Sequence, residues 1–262
     1  KPDFASKGMM PFFLDYWKKM QAAFPGEKIG LGLGYEGPMT TAYELRDMDV
    51  FTDVYDKPEK FKQFMSLLVQ SIVDFAHFRA ALEGRPTVNS EAGHMCDDVA
   101  SMFSPEMWPQ MVLPYIHGYY DGLTTGSRSA HIEDLRPEHL PFLEDIGLIY
   151  FDPSISAEIN PTDIAARCRV PFGWRLGSFH YATMSSNDIR DWIFQAVADG
   201  ATKVFSHVAE IMINPVTIRK VHDFMDHASE VEELIKKGMS REDIGKEVSS
   251  AGRNRFWGTW PD

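Results

Sequence analysis

A chain of 262 residues with 38 acidic and 26 basic side chains, a formal charge of −12, lacks the basic footprint that nucleic acid or an anionic membrane surface demands. At 44% hydrophobic and 24% charged it has the composition of a globular protein with a sizeable core, expected as a single domain over 1–262. It shows neither a long uncharged apolar run nor a signal-peptide core, so a cytoplasmic setting is expected, and its two cysteines, Cys96 and Cys168, exclude a disulfide framework or a four-thiolate zinc site.

Taken in order, the chain alternates extended and helical runs. A helix over 9–24 is followed by a strand over 28–34 (KIGLGLG). The stretch GLGLGYEGP at 30–38 imitates a phosphate-cradling loop, but its glycines alternate inside an extended run and Pro38 removes a donor N–H. Phe61, Phe64, Leu68, Ile72, Phe75 and Phe78 make one apolar stripe on a helix over 57–83. A strand over 86–91 leads to a helix over 104–122, opened by Ser104, Pro105 and Glu106. Strands over 128–132, 147–151, 171–176 and 202–207 then alternate with helices over 136–145, 161–168, 186–199 and 215–228. Residues 229–250 read as further surface helix, and the tail 251–262 carries two tryptophans expected to dock on the body.

Such alternation implies parallel strands with helices outside them, either an open doubly wound sheet or a closed eight-stranded barrel. Six strand–helix units are two short of a barrel, so its first units are expected to lie outside this sequence. In barrels the chemistry gathers at the C-terminal strand ends. Here those ends carry Tyr35 and Glu36, then Glu91, His94 and Asp97, then His131, Glu133 and Asp134, then Asp152, then Arg175, then His207 and Glu210. Glu91, His94 and Asp97 are the candidate catalytic groups, expected to face the same pocket as His131 because successive units place their ends side by side. His131 and Glu133, two apart in an extended segment, point to one side and suit one metal ion, with His207 or Glu210 completing a zinc set. The plain alternative is that Glu133 or Asp134 caps the helix beginning near Arg136, and that Asp97 or Asp98 caps a turn. Tyr35, Met95, Phe179 and Tyr181 are the candidate substrate-binding side chains of an apolar lining.

Several phrases together resemble the uroporphyrinogen decarboxylase superfamily, which includes corrinoid-dependent methyltransferases. YEGPMTTAYELRDMD at 35–49 resembles its Gly-x-Pro-x-Thr segment. DDVASMFSPEMWPQMVLPYIHGYYDGL at 97–123 resembles its acidic loop and Ser-Pro-Glu helix start, and AHIED, LEDIGLIYFDP and INPTDI follow in the same order. The resemblance implies a (β/α)8 TIM barrel and a methyltransferase that binds zinc and works beside the cobalamin of a separate corrinoid protein. His131 matches the family's zinc histidine, Glu133 stands where the family has cysteine, and the distant cysteine falls near His207 to Glu210. An imidazole and carboxylate set leaves zinc a harder Lewis acid than thiolates do, which favours O-demethylation of a small methylated substrate such as a methoxylated aromatic. A metal-independent decarboxylase is the alternative, although the family's Arg-rich segment for substrate carboxylates is absent here. A non-catalytic binding barrel is the third reading.

Overall fold

In the computed structural model, which describes residues 3–253 and 256–258, the chain divides into two compact units, Lys1–Arg128 and Ser129–Asp262. The first holds α1 (Met10–Ala23), α2 (Pro38–Arg46), α3 (Asp49–Asp56), α4 (Pro58–Leu82), β1 (Ala92–Cys96), α5 (Leu113–Leu123) and the opening residues of β2 (Ser127–His131). The long helix α4 buries Phe61, Leu68 and Ile72 of the expected stripe together with Met65, Val69 and Val73. Residues 28–34 are coil rather than strand. Alternating glycines offer no side chains to pack on a pleated surface, Gly32 takes φ 71°, and the Leu31 N–H is satisfied by the Glu83 carboxylate instead of a strand partner. The helices α2 and α3 arise downstream because Gly37 serves as N-cap and Pro38 occupies the first turn.

The strand expected over 86–91 begins later, at Ala92. The preceding stretch enters the sheet only through an isolated parallel bridge between Asn89 and Thr124, and the Ser127 N–H donates to the Glu91 carbonyl at 3.0 Å. The helix expected over 104–122 is broken into a 3-10 turn at Pro105–Met107, a π turn at Trp108–Val112 and α5. Pro109 and Pro114 each remove an N–H from the ladder, so a regular α-helix cannot run through them. Gly126 is required where it stands, since a Cβ there collides with the Glu91 carbonyl. Gly126→Ala is therefore expected to cost about 3 kcal/mol of stability. Chemical unfolding checks this, and a loss well under 1 kcal/mol counts against it.

The second unit holds the rest of β2, α6 (Pro141–Ile146), β3 (Leu148–Asp152), α7 (Pro161–Arg167), β4 (Gly173–Leu176), α8 (His180–Thr183), α9 (Ser186–Ala198), β5 (Lys203–Ser206), α10 (Pro215–Lys236), α11 (Arg241–Lys246) and α12 (Ser250–Arg253). Successive strands lie beside one another in chain order. The Ile132 N–H donates to Asp152 O, and Phe151 bridges Phe172 in parallel. β4 and β5 pair in parallel from Gly173↔Lys203 to Leu176↔Ser206. Asn160 and Ser185 cap α7 and α9 as those residue types should. Ile132, Phe151, Trp174, Leu176, Trp192 and Phe194, none of them exposed, form the core. From the tail, Trp257 docks on this unit, donating its indole N–H to Asp199 at 2.6 Å and meeting Trp174 edge-on at 5.6 Å. Trp260 lies outside the described residues.

The architecture is thus mixed α/β, with five short strands rather than six among the described residues, in small parallel sheets. Among the described residues no helix is long and apolar enough to cross a membrane.

Candidate metal and proton-transfer site at the strand ends

In the second unit the ends of β2, β3 and β4 and the residues just beyond them bring five side chains into one chain of polar contacts. His131, the last residue of β2, lies with Nδ1 2.9 Å from Asp152 Oδ2 and Nε2 3.3 Å from Glu133 Oε1. Asp152, the last residue of β3, also accepts from Arg175 Nη2 at 2.8 Å, and the other arm of that guanidinium donates to Ser154 Oγ at 3.0 Å. The Ser154 N–H returns to Asp152 Oδ1 at 2.8 Å, a local turn that accounts for the left-handed φ of 60° at Ser154. His131 and Asp152 each keep 14% of their side-chain surface exposed, while Glu133 keeps 41% and faces solvent.

The neighbours of this strand end pull two of its carboxyls in opposite directions. Burial alone would raise the Asp152 carboxyl, yet the hydrogen bond from His131, the Ser154 N–H and the charges of His131 and Arg175 hold it below the ordinary carboxylate range. Asp134 goes the other way, pushed up by burial and then by the negative charges of Glu133 and Glu158. When the imidazole is neutral, the ionised Asp152 favours the proton on Nδ1, which leaves the Nε2 lone pair beside the Glu133 carboxylate.

A tetrahedral zinc with ligand bonds of about 2.0–2.2 Å sets adjacent N and O ligands about 3.4 Å apart. The 3.3 Å between His131 Nε2 and Glu133 Oε1 matches that bite. His207 and Glu210, both exposed beyond β5, do not complete a group of three ligand atoms with this pair in the second unit, among the described residues. Phe179 is 56% exposed with its ring against His180, while Tyr181 is buried with its hydroxyl donated to Ser206 at 2.8 Å. Of the two expected substrate contacts, only Phe179 presents an open face.

In the first unit, Tyr35 and His94 line one cavity, and His94 Nε2 lies 3.5 Å from Cys96 Sγ. Met95 points to the opposite side of β1 and is 1% exposed, so it belongs to the core. Glu91 is exposed. Asp97 is fully buried, its carboxylate accepting from the Met39 and Thr40 N–H groups and the Thr40 hydroxyl, which makes it the cap of α2 from a distant part of the sequence. From the sequence, Asp152 and Arg175 are strand-end residues with no assigned role. Their signal was the ladder itself, since consecutive parallel strands ending in His, Asp and Arg place those groups side by side.

No known protein family matches the sequence, and neither does any curated protein. Among solved structures the chain is similar to a methyltransferase from Methanosarcina mazei, at 16% sequence identity, with a TM-score of 0.61 over 88% of this chain and 67% of that one. At that identity the likeness is one of fold: both chains share the mixed helix and parallel-strand architecture.

Proposed function

We propose that the chain is a metal-dependent methyltransferase of barrel type that moves a methyl group from a small methylated substrate, such as a methoxylated aromatic, to the cobalamin of a separate corrinoid protein. The observation that carries this reading is the His131–Glu133 pair, with the spacing of two zinc ligands and with the imidazole oriented from behind by Asp152. The shared fold with a protein named as a methyltransferase supports it. Asp152 accepts the Nδ1 proton and so keeps the Nε2 lone pair turned toward Glu133, while Arg175 balances the Asp152 charge that burial would otherwise disfavour. Zinc held there would supply Lewis acidity toward an ether oxygen. Phe179 offers an exposed ring against which an aromatic substrate can rest. Asp97 is assigned to holding α2 in place.

Metal analysis of protein purified without added zinc is expected to find about one zinc per chain, removable by chelation and restored on re-addition. With free reduced cobalamin added in place of the corrinoid protein, demethylation of a methoxylated aromatic is expected to follow the zinc content. His207→Ala and Glu210→Ala, made separately, test whether either adds a further ligand to the pair, loss of zinc being the sign. Protein that is metal-free as isolated and takes up no zinc on addition sinks the reading in favour of a metal-independent enzyme.

A further inference from the structure

The first unit contains a cavity of about 320 Å³ between the end of α4, the residues leading into β1, and α5. Its chemistry runs against the rest of the molecule. In a chain of formal charge −12, the residues lining it include Arg79, Arg85 and His94 and not one carboxylate. The rest of the wall includes two tyrosines, Tyr35 and Tyr119, the alanines Ala76 and Ala80, Leu123, and the neutral polar side chains of Thr87 and Asn89.

Arg79 is the informative residue. Its guanidinium lies over the Tyr35 ring, 5.4 Å from the centroid, and its Nε is buried without a hydrogen-bond partner. The nearby acid is already committed: Glu83 takes Arg85 with one oxygen and the Leu31 N–H with the other. Glu83 therefore reaches Arg79 only through its field. A buried guanidinium N–H left without an acceptor is costly, and the ligand that satisfies it is a planar oxyanion able to bond the fork. The neighbouring aromatic faces and alanines select a flat apolar body behind that oxyanion.

We infer that this cavity binds a small aromatic carboxylate, with Arg79 receiving the carboxylate and Tyr35 and Tyr119 flanking the ring. The inference is independent of the metal site, because the cavity lies within the first unit and its occupancy is read by binding rather than by turnover.

The test is titration calorimetry of the purified full chain with benzoate, with benzyl alcohol as the neutral ring and inorganic phosphate as the ring-free anion. Benzoate is expected to bind, benzyl alcohol and phosphate far more weakly. Arg79→Met keeps the aliphatic stem and removes the fork, and is expected to weaken benzoate roughly tenfold or more while leaving benzyl alcohol unchanged. Arg79→Lys, which keeps the charge but not the planar fork, is expected to fall between the two. Circular dichroism and melting of both variants establish that they fold. Absence of benzoate binding to the wild type overturns the proposal, as does equal benzoate affinity in folded Arg79→Met. Phosphate binding as tightly as benzoate overturns the selection for an aromatic body.

Discussion

Glutamine at position 133 is expected to strip the chain of zinc while leaving it folded. Glu133 keeps 41% of its side-chain surface open and pairs with the His131 imidazole, so little packing is lost on replacement. What is lost is a charge and an anionic ligand set 3.3 Å from Nε2. Zinc affinity should fall on the order of a hundredfold or more, beyond the tenfold to hundredfold typical of losing a group behind the ligands. Asp152→Asn is the companion variant and tests the orientation of the ring. Asparagine is neutral, and its NH2 must face either the Arg175 guanidinium or the Ser154 N–H, so the anionic acceptor that holds the ring proton on Nδ1 is lost. That variant should lose zinc about tenfold to hundredfold with both proposed ligands intact. Because protons compete for the imidazole nitrogen, affinity in the wild type should also drop as pH falls. The low-lying Asp152 carboxyl stays ionised through most of that window, its own contribution to stability being present above the ordinary carboxylate range and lost only as pH falls through its depressed value. If both variants keep full zinc and the wild type is pH-insensitive, the strand end is an ordinary polar cluster and the metal reading fails.

The sequence exposed the second unit better than the first, for physical reasons. The runs GLIYF, PFGWRL and TKVFSH combine β-branched and aromatic residues with breakers on either side, and the strands lie within two residues of where that pattern puts them. In the first unit the pattern misleads. KIGLGLG alternates like a strand, but the alternating partners are glycines, and PTVNSE has the right residue types yet starts with a proline. The break between Pro109 and Pro114 was visible in the letters and outweighed by the helical periodicity around it. At the site, His131 and Glu133 were legible because a period of two puts both on one side of a strand. The roles of Asp152, Arg175 and Arg79 were not, since each depends on which residues far apart in the chain become neighbours. Asp97 shows the same limit: its adjacency to α2 spans 57 residues, and no local spacing announces it.

The largest change in stability is expected at Asp97. With 0% of its surface exposed, its Oδ1 accepts from the Thr40 N–H at 2.7 Å and the Thr40 hydroxyl at 3.0 Å, and its Oδ2 from the Met39 N–H at 3.1 Å. Gly37 leaves it room, since a Cβ there would lie 2.5 Å from the Asp97 Cβ. Burial pushes this carboxyl up from an ordinary 3.8 to about 7, the α2 donors pulling it partly back and the Asp98 charge adding to the rise. The sign follows from linkage: the folded value lies above the unfolded one, so the contribution is fully present below the unfolded value and is lost as pH rises through about 7. At about 1.4 kcal/mol for each unit of difference, wild-type stability should fall by roughly 4 kcal/mol from this group between acid and mildly alkaline solution. Asp97→Asn removes the titration, so its stability should be nearly flat with respect to this group. It also turns an amide NH2 toward the Met39 N–H, which leaves a buried donor unsatisfied at a cost of about 1–3 kcal/mol. The wild type should therefore be the more stable protein in acid, and the gap should close or reverse above neutrality. Urea unfolding of both proteins across that pH range reads the difference directly. Parallel curves would show that Asp97 binds protons equally in the folded and unfolded states, with α2 held by a carboxyl of ordinary pKa.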